Sequence, residues 1–75
     1  MTEDAAREYF AQPPETWRRL GRQTGIRAWN AAPNLPEDFL EELIDSNARS
    51  MPLSPESIEA FKEGMRAGYH EHITL

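Results

Sequence analysis

Cysteine is absent from the 75 residues, so neither a disulfide framework nor a thiolate metal site is available to this chain. No apolar run approaches the roughly 20 residues a membrane span needs. The opening segment MTEDAAREYF is too polar and charged for a secretory signal. Asn-Gly and Asp-Gly hairpin dipeptides are missing, no useful stretch alternates apolar with polar, and β-branched residues are few, which argues against strands. Gly21-Arg22-Gln23-Thr24-Gly25 lacks the lysine and the preceding strand of a phosphate-binding loop. No nucleophile stands beside a base, and a chain this short seldom builds a ligand-sized pocket. These absences lead us to expect a cytoplasmic protein that is not an enzyme and uses no cofactor.

What is present reads as helix. Ser54–Ile73, SPESIEAFKEGMRAGYHEHI, is the clearest stretch. Ser54 is a natural N-cap, Pro55 suits the first helical position, and Glu56 places negative charge near the positive helix end. Ile58, Phe61, Met65, Gly68 or Tyr69, and His72 recur every three or four residues, on one face. A second, narrower face carries Ala60, Gly64, Ala67 and Glu71, where small side chains would let another backbone come close. This helix therefore needs partners on two sides.

The rest of the chain is punctuated by proline. Thr2 can cap a short helix from Glu3 to Ala11, ended by Gln12-Pro13-Pro14. Pro14 to Thr24 is a second helix with Trp17, Leu20 and Gly21 on one side and Arg18, Arg19 and Arg22 on the other. Gly25 is a plausible C-terminal stop. Ile26–Ala32 is long enough for two further turns. Between Pro33 and Pro36, Asn34 or Leu35 could cap the next helix, from Pro36 to about Ser50, whose apolar stripe is Phe39, Leu40, Leu43, Ile44 and Met51. Met51-Pro52-Leu53 is a short link, which makes the last two helices near-antiparallel neighbours. The fold expectation is all-α, one domain over 1–75: a compact bundle of three to five short helices, the last two forming a helical hairpin. The expected core is Tyr9, Phe10, Trp17, Leu20, Trp29, Phe39, Leu43, Ile44, Ile58, Phe61, Met65 and Tyr69.

Charge is unevenly spread. The net charge of −5 comprises −2 over residues 1–12, +3 over 13–34 and −6 over 35–75, and half of the basic residues lie between Arg18 and Arg27. The basic window contains a spacing that resembles a helix-turn-helix, with Leu20, Gly21, Gly25 and Ile26 at its turn positions. Arg22, Arg27 and Asn30 would then meet nucleic acid, with Arg18 in support. Pro33 cuts the would-be recognition helix to about two turns, and Thr24 stands where an apolar residue is expected. The same arginines can be a solvated face, can pair with Glu37, Asp38, Glu41, Glu42 and Asp45, or can anchor an acidic protein, since arginine beside tryptophan is the composition of binding hot spots. His70-Glu71-His72 has the wrong spacing for helical metal ligands, which want to be three or four positions apart. The acids of residues 37–45 with Glu56, Glu59 and Glu63 could mimic nucleic-acid charge, though Arg49, Lys62 and Arg66 partly balance them.

The favoured expectation is a small protein-binding regulator (an adaptor, inhibitor or antitoxin-like protein) that contacts another protein through Trp17, Arg18, Arg22, Arg27, Trp29 and Asn30. The alternative is a helix-turn-helix DNA-binding regulator. No membrane association is expected. A homodimer is a further option, because so small a core leaves a thin stability margin.

Overall fold

The computed structural model of the chain describes residues 3–75, and within them it is all-helical. Four helices follow in order: α1 (Glu3–Phe10), α2 (Pro14–Ala31), α3 (Glu37–Arg49) and α4 (Pro55–His70). The expected cap at Thr2 lies outside the described residues. Ser54 caps α4 as expected, its Oγ accepting from the Ser57 amide at 3.2 Å, with Pro55 behind it at the first position. That helix ends at His70, three residues short of the Ile73 expected, and His72 turns into left-handed geometry with φ 54°.

The largest departure from expectation is α2. Gly25 does not stop it, and the separate Ile26–Ala32 helix does not exist; one helix runs from Pro14 to Ala31. No glycine has positive φ, so the αL turn that would have divided the segment is absent. The helix-turn-helix at Leu20–Ile26 is therefore not formed.

The glycines have a different use. Gly21 and Gly25 lie against the Phe61 and Met65 carbonyls of α4, while Gly64 and Gly68 lie against the Arg18 and Arg22 carbonyls of α2. Each helix thus presents two glycines four residues apart to the other, and the register advances in the same direction on both. The helices run parallel with backbone on backbone, as small residues four apart allow. A parallel pair needs a return connection, and α3 supplies it.

α3 runs antiparallel to α4, which makes the last two helices the expected hairpin. Leu40, Ile44 and Ala48, spaced by four, are fully buried. Polar pairs line the edge of this contact. Arg66 donates from Nε and Nη2 to the two oxygens of Glu41, each at 2.8 Å. Lys62 reaches Asp45 at 3.4 Å, and His70 lies 4.0 Å from Glu37. The hydrogen bond from Arg66 holds the Glu41 carboxyl below its usual range, and that from Arg49 does the same for Asp45. Glu37, Glu41 and Asp45 are thus served by α4 and by Arg49, not by the arginines of α2.

Trp17, Leu40, Ile44, Ala48, Leu53, Phe61, Met65 and Tyr69 form the core. The α2–α3 connection is tied to it by Tyr69, whose hydroxyl donates to the Ala32 carbonyl at 2.7 Å and accepts from the Leu35 amide at 2.8 Å. Asn34 between them adopts φ 60°, which asparagine tolerates better than most residues. α1 is held by an aromatic cluster, with Tyr9 edge-on to Trp17 at 5.6 Å and Phe10 stacked on it at 6.1 Å. Two expected core residues are not core: Phe39 is 62% exposed and Tyr9 45%. Phe10, Leu20, Trp29, Leu43 and Ile58 pack against the core only partly buried.

Candidate functional site

The six residues expected to contact a partner do not share a surface. Trp17 is 1% exposed and gives its indole N–H to the Gln12 carbonyl at 3.2 Å. It is a core residue, placed inward because its position on α2 lies next to the glycine seam. Arg18 is bonded to Glu15 and lies 3.6 Å from Glu63. Arg22 makes a two-pronged contact with Glu71, Nε at 3.1 Å and Nη2 at 2.9 Å. Both arginines clasp α4 from the flank of the seam, and exposed pairs of this kind contribute about 0–1 kcal/mol each.

Trp29 and Asn30 hold the segment after α4. His72 stacks on Trp29 with ring centroids 3.8 Å apart, and Tyr69 meets the same indole edge-on at 5.4 Å. The Asn30 amide donates to the Ile73 carbonyl at 2.7 Å and accepts from the Leu75 amide at 2.9 Å. Trp29 is thus half-buried against the protein's own tail. The His70-Glu71-His72 run is taken up residue by residue, by Glu37, Arg22 and Trp29. No group of three metal-ligating side chains occurs among the described residues.

Arg27 remains. It is exposed, and neither it nor Arg19 makes an ion pair among the described residues. Arg19, Gln23 and Arg27 form one row along α2, each four residues from the next. Leu20, Thr24 and Ala28 form the adjacent row. Across from that row stands α3, where Phe39, Leu43 and Asn47 are spaced in the same way. The α2 and α3 backbones do not touch. Between them lies an open cleft of about 440 Å³ whose lining includes Thr24, Arg27, Ala28, Ala31, Leu43 and Asn47, with Met65 of α4 contributing as well. Asp38 and Glu42, exposed on other faces of α3, make no ion pair among the described residues and do not line the cleft.

The cleft is therefore largely apolar inside, with Arg27 as the charged residue of its lining. Sequence reading found Arg27 but missed the α3 half, because it assigned Phe39 and Leu43 to the core. The available signal was the width of the α3 apolar stripe. Phe39, Leu40, Leu43 and Ile44 cover more of the helix surface than one neighbouring helix can bury. No protein-family model, curated protein or solved structure matches this chain. No helix among the described residues is long and apolar enough to cross a membrane.

Proposed function

We propose that this chain is a small non-enzymatic regulator that acts by binding a protein, docking a helical segment along the α2–α3 cleft. The observation that carries the reading is Phe39. A large aromatic 62% exposed, in the same row as the half-buried Leu43 and beside an apolar cleft, is surface that binding would remove from water. Burying an aromatic side chain of this size contributes about 1.5–3 kcal/mol. Arg27 at the rim supplies a charged contact of the type enriched in hot spots. The contact surface moves from the Arg/Trp segment of residues 17–30 to the cleft, keeping Arg27.

Nucleic acid is less well supported. Arg18 and Arg22 are engaged by Glu63 and Glu71, so few cations remain for phosphate. Nucleic-acid binding draws most of its affinity from such phosphate contacts.

The test is affinity capture from the natural host with the wild-type chain and with Phe39→Glu, after nuclease treatment and under low- and high-salt washes. A protein partner that survives high salt and is lost with Phe39→Glu is the expected result. A partner bound equally by both chains removes the cleft from the account. Recovery of nucleic acid that salt or nuclease abolishes transfers the function to phosphate binding.

A further inference from the structure

We propose that residues 72–75 are a releasable strap lying in a peptide-binding clamp on α2, and that the clamp takes an extended peptide of a partner when the strap lets go. Arg22, Ile26 and Asn30 form one row along α2, each four residues from the next, and none of them lines the α2–α3 cleft. Arg22 holds Glu71, and Asn30 holds Ile73 and Leu75. The chain between those two holds crosses the level of Ile26. Ile26 is 9% exposed yet has no place in the core cluster, and the crossing segment supplies its cover. Ile73 is the half-buried residue of the four.

The clamp reads main chain. The Asn30 carboxamide donates to the Ile73 carbonyl at 2.7 Å and accepts from the Leu75 amide at 2.9 Å. An extended peptide presents that carbonyl and the amide two residues on along one edge, whatever its sequence. Trp29 adds a flat face, on which His72 stacks at 3.8 Å with the rings 12° apart. The ligand class is therefore an extended peptide with a ring directly before an aliphatic residue.

The strap can open without disturbing the bundle. His72 has φ 54°, a helix-ending conformation that glycine takes without strain, so the stacking ring is held there at a backbone cost. Both Asn30 bonds are exposed, and water replaces them when the strap leaves. Tyr69, by contrast, is 2% exposed and tied to Ala32 and Leu35, so α4 stays in place and the hinge lies at Glu71 and His72. Opening uncovers Ile26 and one face of Trp29 for the competing peptide.

Two variants of the whole chain separate clamp from strap. Asn30→Ala removes the clamp at an exposed helical position. His72→Ala with Leu75→Pro removes the stacking ring and the N–H that Asn30 receives, and leaves α2 untouched. The probe is a capped peptide of sequence HEHITL, that of residues 70–75, followed by amide and indole NMR. In the wild type the Leu75 amide should be as rigid as those of α4 on the picosecond–nanosecond scale, and in Asn30→Ala it should become mobile while the helices keep their shifts. The peptide should move the Trp29 indole and Asn30 side-chain signals of the strap variant. It should bind the wild type about tenfold more weakly or less, because a strap closed about nine-tenths of the time leaves a tenth of the chains competent. A chain with all three substitutions should not bind it. A Leu75 amide equally mobile in the wild type and in Asn30→Ala overturns the strap. A strap variant that ignores the peptide, or binds it no more tightly than the wild type does, overturns the clamp, as does binding that survives Asn30→Ala.

Discussion

Replacing Gly64 by alanine sets two well-measured tendencies against each other. In an exposed helix the change stabilises by about 1 kcal/mol, because glycine has more backbone freedom to lose. Here the added Cβ would lie 2.9 Å from the Arg18 carbonyl carbon and 3.1 Å from its Cα, closer still to the carbonyl oxygen, where ordinary contact begins at 3.4 Å. The helices would have to separate by at least half an ångström, and by more to clear the oxygen. Backbone cannot change rotamer to make room. Overpacking costs typically 1–3 kcal/mol and occasionally more, so the upper end applies. Less the propensity gain, a net loss of about 2 kcal/mol is expected. In a domain of this size that lowers Tm by about 10–15 °C. Thermal and urea unfolding followed by circular dichroism measure it, with Ser46→Ala on the exposed side of α3 as the control for propensity alone. A Tm for Gly64→Ala equal to or above the parent would refute the parallel backbone-on-backbone seam.

Phe61→Ala should destabilise by about 3–5 kcal/mol, the range for a buried aromatic reduced to alanine; a loss below about 1 kcal/mol in urea titration would take Phe61 out of the core. Tyr69→Phe removes the hydroxyl that serves both Ala32 and Leu35, and should cost about 1–3 kcal/mol, with faster amide exchange at Leu35 as the local sign. An unchanged exchange rate there would mean that the connection is held by something else. Glu41 has a lowered folded-state pKa, so its contribution is present above the unfolded value near 4.5 and disappears as the pH falls through the lower folded value. The parent should therefore lose stability below about pH 4.5 more steeply than Glu41→Gln, and parallel curves would show that the Arg66 pair adds nothing.

The positions of the helices were mostly legible. Ser54 and Pro55, Pro13 and Pro14, and Pro36 mark starts whose chemistry is local, a side-chain acceptor or a missing N–H, and local chemistry survives in any fold. Gly64, on the small face of its helix, was readable as a place of close approach. Gly25 was not, because the same residue ends a helix when its backbone turns left-handed and seals one when another helix lies on it. The cleft was only half readable. Arg27 stood out as charge, whereas Phe39 looked like one more member of an apolar stripe.

By itself the sequence determined that the chain is helical, where three of its four helices begin, and that Trp17, Ile44, Phe61, Met65 and Tyr69 share an interior. These follow from capping, period and proline, which act within a few residues. Only the tertiary structure decided which glycines meet which carbonyls, that α2 is unbroken and parallel to α4, and that Arg18 and Arg22 are engaged while Arg27 is not. Those outcomes depend on pairing between segments up to some 50 residues apart. The reciprocal glycine seam fixes that pairing, and by drawing α2 onto α4 it leaves the side of α2 toward α3 uncovered.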